Sequence, residues 1–236
     1  MSPRIMFEQE LELLKNQVTD MAERAEICYD KLLSAIKTYD RETLKLLLNS
    51  DRQMTDMQRN IESGCLLLLT KQQPIARDLR LVTSALKVVT DIERIGDHVT
   101  DIAELYLRMG DVYAEEQKRT GTVTGRENDS VGAPEILATM METTKEMLLH
   151  AVEAFVNEDE DAANRVIESD DMVDEQFNQI KNAMMKAIGD QSLDADKVVD
   201  MLMVAKYLEK IGDHAVNIGE WTVFLVTGDI HGVTVY

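Results

Sequence analysis

Residues 93–98 read ERIGDH and residues 209–214 read EKIGDH, near-copies whose first residues stand 116 positions apart. A repeat of this kind commits the chain to building the same unit twice. Both copies fall inside long stretches of helical periodicity. There, glycine costs about 1 kcal/mol relative to alanine, and two acids four residues apart cost roughly 0.2–0.5 kcal/mol more. Helix propensity therefore argues against the motif, and its reason lies in packing or in something the acids meet.

The repeat extends well beyond the hexapeptide. AIKTY at 35–39 matches AVEAF at 151–155 at the same offset of 116. NSDRQM at 49–54 matches ESDDMV at 168–173 at an offset of 119, and the offset is 116 again by Asp78 and Asp194. A three-residue gain in one loop and its loss in the next accounts for the excursion. Pro is rare (3), Gly modest (11) and aromatics few (5%), while Leu, Met, Ala, Glu, Asp and Lys abound, which is a helical vocabulary.

The pattern predicts a first helix from Pro3 to about Thr38, with Asp40 as N-cap of a second that runs to about Leu69. Pro74 then breaks the chain before a third helix, from about Ile75 to Met109. Residues 110–135 are rich in Gly, Thr and polar side chains and read as a mobile linker. Helical segments resume over about 134–157, 158–188 and 194–227. The expected fold is all-α, six helices in two similar three-helix bundles side by side. The first bundle is placed at 1–110, a linker at 111–133, the second bundle at 134–228 and a tail at 229–236.

A formal net charge of −19, with no basic stripe, disfavours nucleic acid, which binds by exchanging counterions for Lys and Arg. The same surplus suits cations or a basic partner surface. Cys28 and Cys65 form no CxxC pair and read as free thiols of a reducing compartment. The start turns acidic and amphipathic at FEQELELLKNQ instead of forming a signal peptide, and CLLLL and VFLV are too short to span a membrane. The expected location is cytoplasmic.

At about 100° per residue, Leu81, Ala85, Val88, Ile92, Ile95, Val99 and Ile102 form one apolar stripe. A polar strip carries Arg80, Lys87, Asp91, Arg94 and His98. Between the two runs Leu79, Val82, Leu86 and Val89, continued by Glu93, Asp97 and Glu104, so an apolar seam turns acidic halfway. Val198, Leu202 and Ala205 lead likewise into Glu209, Asp213 and Glu220. Asp170 and Asp174 add another D-x-x-x-D on the preceding helix, where the first half keeps Asp51 but has Thr55 opposite Asp174.

Carboxylates gathered in a partly dry groove need protons, Arg or Lys, or a metal ion. An all-oxygen set suits Mg, Ca, Mn or Fe. A solvated acidic face competes with this reading at every pair, most strongly at Asp170 and Asp174. Gly96 and Gly212 abut the apolar stripe, which points to close helix approach. His98 and His214 point about 100° from the acids and read as solvated or interface side chains, not ligands.

QQPIARDLRLVTSALKVVTDIERIGDHVTDIAE (72–104) resembles the signature helix of the PhoU family, and YLEKIGDHAVNIGE (207–220) resembles its second-repeat equivalent. The resemblance covers essentially the whole chain. It implies two three-helix bundles with E/D-x-x-x-D motifs able to hold multinuclear metal clusters, iron in some members. The matching acids are Glu93, Asp97, Asp101, Asp170, Asp174, Glu209 and Asp213. Asn217 stands opposite Asp101 and Thr55 opposite Asp174, which weakens a site in each half. The resemblance further implies a non-catalytic adaptor that touches a phosphate transporter's ATPase subunit and a phosphate-sensing histidine kinase. Such an adaptor reaches the membrane only through partners, restrains the phosphate-starvation response, and leaves a homodimer open.

Two other classes compete. A di-iron carboxylate oxidoreductase would normally show Glu-x-x-His, whereas EMLLH sets His150 four residues after Glu146. A metal-free helical interaction module would use the acids on basic partner residues. No nucleophile-base set or phosphate-cradling glycine loop is evident, so no catalysis is expected.

Overall fold

A computed structural model describes residues 3–49, 51–120, 135–189, 195–230 and 233–234. Eight helical segments follow one another: α1 (Pro3–Thr38), α2 (Arg41–Leu47), α3 (Asp51–Gln72), α4 (Ala76–Thr120), α5 (Glu135–Asn157), α6 (Glu160–Glu168), α7 (Asp170–Gly189) and α8 (Ala195–Thr227). A short antiparallel ribbon, β1 (Asp229–Ile230) with β2 (Val233–Thr234), follows them. The expected all-α duplication holds. The α1–α4 unit repeats as α5–α8.

The middle helix of each repeat is split, giving eight segments where six helices were expected. A short polar side chain stands at each break. Asn49 Nδ2 donates to the Lys45 carbonyl (3.3 Å), and Ser169 Oγ donates to that of Val166 (2.6 Å). The turn before α2 matches the turn before α6. Tyr39 (φ 48°) precedes the N-cap Asp40, and Glu158 (φ 54°) precedes the N-cap Asp159, so the offset of 119 begins at these turns. Helix α4 also continues through residues 111–120, where a linker was expected. The remainder of that linker and Pro134 lie outside the described residues.

The predicted stripe Leu81, Ala85, Val88, Ile92, Ile95, Val99 and Ile102 is wholly buried, as are Val204, Leu208, Ile211, Ala215 and Ile218 on α8. Matched core pairs keep register throughout: Met54 with Val173, Ile61 with Ile180, and Cys65 with Met184 are all buried. Cys28 and Cys65 are buried and unbridged, and burial, with the Glu62 charge, pushes the Cys65 thiol up to about 12. Among the described residues no helix is long and apolar enough to cross a membrane.

Helices α4 and α8 pack antiparallel along the joint between repeats. Arg80 Nε donates to the Leu225 carbonyl (2.9 Å), and Ser84 Oγ to that of Trp221 (3.2 Å). Asp91 meets His214, and Arg108 is ion-paired with Asp200. Helices α1 and α5 complete the joint through Tyr29 and Thr144, whose hydroxyls lie 2.6 Å apart.

The α5–α6 turn is held from the other repeat. Lys15 Nζ lies 2.6 Å from Glu158 Oε1, and Arg77 Nε lies 2.9 Å from Oε2. Burial alone would raise the Glu158 carboxyl. Lys15 and Arg77 together outweigh it and hold the group below its usual range.

The motif glycines serve packing. A Cβ on Gly96 would lie 3.3 Å from Met54 Cγ, and one on Gly212 would lie 3.3 Å from Val173 Cγ1. The same contact occurs in both repeats, between α4 and α3 and between α8 and α7. Met54 is unbranched and can swing aside, whereas Val173 is stiff at χ1. Alanine gains about 1 kcal/mol of helix propensity, so Gly96→Ala is expected to be near neutral or stabilising. Gly212→Ala should destabilise by about 1 kcal/mol through overpacking that outweighs the propensity gain. Urea midpoints at unchanged m-value measure both, and equal effects at the two sites would contradict the packing explanation.

Candidate carboxylate grooves and the histidine joint

Each motif acid pair faces the groove of its own repeat. Glu93 is 7% exposed and accepts a hydrogen bond from Thr55 Oγ1 on α3 (3.2 Å). The opposing positive charge comes from within the motif. Arg94 stands 3.8 Å from Glu93 Oε2 and donates to Asp97 Oδ2 at 2.9 Å. In the second copy, Lys210 lies 3.6 Å from Glu209 Oε2 and is ion-paired with Asp213, while Lys206 also pairs with Glu209. Glu209 Oε2 is enclosed and lacks a well-angled hydrogen bond, so the lysines compensate it by charge. Arginine and lysine thus occupy the same place in E-[RK]-I-G-D and bridge the same two acids.

Beyond that shared bridge the grooves differ. In the second repeat, Asp170 lies beside α8, its Oδ1 being 3.7 Å from where a Gly212 Cβ would stand. Burial first, and then the charges of Asp174, Asp213 and Glu209, raises the Asp170 carboxyl above the ordinary aspartate range. Four of the predicted acids therefore share one electrostatic neighbourhood. In the first repeat the position of Asp174 is held by Thr55, a neutral donor already bonded to Glu93, and the side chain of Asp51, the counterpart of Asp170, lies outside the described residues. Asp101 turns from the groove toward His98 Nδ1 (3.3 Å).

Among the described residues no three His, Cys, Asp or Glu side chains stand close enough together to hold a metal ion in this arrangement. Fit to the implied cluster differs between repeats. The α7–α8 groove offers an all-carboxylate donor set with surplus negative charge, which fits a hard cation. In the α3–α4 groove Thr55 replaces one of these acids, and the acids among the described residues are engaged by Thr55, Arg94 and His98, so the donor set is poorer there.

The histidines belong to the joint between repeats. His214 Nδ1 lies 2.8 Å from Asp91 Oδ1, which also accepts from Asn217 Nδ2 at 3.1 Å. His98 stacks on Tyr207 (5.4 Å between centroids) and on His214 (5.7 Å). The duplication relates these contacts, since Tyr207 is the counterpart of Asp91 and His214 that of His98. Burial lowers the His98 imidazole and charge on His214 lowers it further, against the Asp101 hydrogen bond. Asn217, the counterpart of Asp101, donates to Asp91 across the joint. The sequence signal lay in the polar strip of Asp91, Arg94 and His98, matched 116 residues on by Tyr207, Lys210 and His214.

Comparison with known proteins places these features. The family model described as "PhoU domain" matches residues 18–106 and again 137–222. A "Phosphate-specific transport system accessory protein PhoU homolog" of Clostridium acetobutylicum is 31% identical over 226 residues, covering 95% of this chain and 96% of that protein. A "Phosphate-specific transport system accessory protein PhoU homolog 1" of Thermotoga maritima is 28% identical over 228 residues, covering 97% of this chain and 92% of that protein. A crystal structure of PhoU from Pseudomonas aeruginosa superposes with TM-score 0.78 at 27% identity, covering 94% of this chain and all (100%) of that one. The phosphate transport system regulatory protein PhoU from Streptococcus pneumoniae gives 0.82 at 26% identity, covering 95% and 98%.

The raised Asp170 carboxyl fixes a sign. A folded-state value above the unfolded one means that ionised Asp170 disfavours the fold, and that the penalty is relieved as pH falls through the raised value. In chelator-treated buffer, Asp170→Asn should therefore raise the urea midpoint at about pH 7. The gain should vanish near the ordinary aspartate value of 3.8. A variant less stable than the parent at neutral pH would contradict this account of the groove.

Proposed function

Because the chain belongs to the PhoU family, we propose that it is an accessory regulator of a phosphate transport system, a non-catalytic adaptor between the transporter's ATPase subunit and a phosphate-sensing histidine kinase. It restrains the phosphate-starvation response while phosphate is plentiful. The observation that carries this reading is the match of both halves to the same domain, with their motif helices forming one antiparallel joint. The groove chemistry supports binding over turnover. Arg94, Thr55, Lys206 and Lys210 engage Glu93, Asp97, Glu209 and Asp213 as ion pairs and hydrogen bonds.

The metal part of the proposal is confined to the second repeat. Asp170, Asp174, Glu209 and Asp213 would hold a hard, oxygen-preferring cation, iron among the candidates, once the lysines yield their pairing. Such an ion would supply positive charge and bind α7 to α8. The existing lysine pairing favours a second reading, in which the grooves work without metal and the chain is purely a helical interaction module.

The adaptor role is tested by deleting the gene and complementing it while a phosphate-starvation phosphatase reporter is followed in phosphate-rich medium. The parent chain should restore repression. A chain with Glu93, Asp97, Glu209 and Asp213 all changed to Ala should not, and full repression by that variant would remove the grooves from the mechanism. Pull-down from phosphate-replete cells should recover the transporter ATPase or the kinase. Elemental analysis of chain purified without chelator should show metal that Asp170→Asn together with Asp174→Asn removes; a metal-free parent would leave the interaction-module reading.

A further inference from the structure

Because the repeats keep register, each is an internal control for the other. On α7, Phe177, Lys181, Met185 and Ile188 recur at the spacing of one helix face. Val199, Met203, Lys206 and Lys210 do so on α8. The Lys206 ammonium lies 5.5 Å from the Phe177 ring centre, and Lys181 lies 6.0 Å from it, so the two lines run side by side. Asp170 sits by Gly212 while Phe177 sits by Lys206, so the helices are antiparallel and Met185 falls level with Val199. Toward the far end this face is apolar and open. Met185 is 64% exposed, Val199 55% and Ile188 52%.

The first repeat shares only the outer end of this face, where Leu66 (57% exposed) and Leu69 stand at the positions of Met185 and Ile188. Positions matching Phe177, Lys181, Val199, Met203 and Lys206 are Gln58, Glu62, Thr83, Lys87 and Thr90. There Gln58 Nε2 donates to Glu62 Oε1 (3.0 Å) and to Thr90 Oγ1 (3.3 Å), closing a polar surface on itself. What belongs to the second repeat alone is the wider apolar strip through Phe177, Val199 and Met203 together with Lys181 and Lys206, which no need shared by the repeats explains.

We propose that this α7–α8 face docks an amphipathic helix of a protein partner whose apolar side is bordered by carboxylates. The net charge of −19 repels such a segment over most of the surface. On this face the charge offered to such a segment is that of Lys181, which among the described residues donates to the neutral Asn178 Oδ1 (2.8 Å), while Lys206 and Lys210 lie alongside but share their charge with Glu209 and Asp213. Met185 and Met203 supply adaptable apolar contact. Asp170 and Asp174 close the strip at its other end, which suits a single helix and opposes a flat anionic bilayer. The inference deepens the adaptor reading and rests on it for the existence of a protein partner.

The test uses the full chain and two fluorescent synthetic helices with Leu at i, i+4, i+7 and i+11, one bordered by Glu and the other by Lys, followed by anisotropy. The Glu-bordered helix should bind about tenfold tighter than the Lys-bordered one. Met185→Glu with Val199→Glu, and separately Met185→Ser with Val199→Ser, should each weaken it by about tenfold or more. Lys181→Glu should reverse the preference, and Leu66→Glu on the first repeat should change nothing; circular dichroism checks that each variant is folded. Preference for the Lys-bordered helix, or binding indifferent to the variants, overturns the proposal. So does face-dependent pelleting with phosphatidylglycerol vesicles, or self-association in sedimentation velocity that Met185→Glu abolishes. Repression of the reporter without peptide binding defeats this inference alone, whereas peptide binding without repression defeats the adaptor role alone.

Discussion

The antiparallel contact between α4 and α8 is the constraint on which the molecule depends. Each of these helices has to serve two neighbours at once: its apolar stripe fills its own repeat, and its polar strip meets the other repeat. Burying such a strip without loss requires a partner for every polar group. The duplication supplies partners in related pairs, as when Asp91 meets His214 while its counterpart Tyr207 stacks on His98. The carboxylates of Glu93 and Glu209 are then left to face inward, each toward the preceding helix of its own repeat.

Within those grooves, compensation is built into the motif. The residue after each glutamate is basic, and it reaches back to that glutamate and forward to the aspartate three positions beyond itself. The glycine next to that aspartate lets the preceding helix come close, with Met54 or Val173 packed where a side chain would otherwise stand. Glycine and acids thus answer one demand. A tight helix pair excludes water from the glutamate, and the adjoining cation makes that exclusion tolerable.

Much of this was legible in the sequence, because periodicity and repetition report directly on which faces are buried. The stripe from Leu81 to Ile102 and the helix-to-helix role of Gly96 and Gly212 follow from spacing alone. The splitting of the middle helices was not legible. Asn49 and Ser169 bond to carbonyls one turn back, as Ser63 and Thr90 do inside unbroken helices, so no local pattern marks these positions as breaks. At the end of α4 the opposite holds, since loop-like composition over 110–120 is overridden by helix continuing from a long, well-packed segment. The histidines were placed on the right strip, but the identity of what they meet depends on the other repeat, which no local pattern encodes.

The positive-φ turns carry a consequence for how such a chain arose. Glu158 lies in the grip of Lys15 and Arg77 from the opposite repeat, yet the matching turn of the first repeat presents Tyr39, which has no charge to offer. A hypothetical pair of first repeats would leave both cations without their acid, and a pair of second repeats would lack the donors. At this turn the two halves have diverged, and the charged clasp on Glu158 runs from the first repeat to the second with no reciprocal from Tyr39.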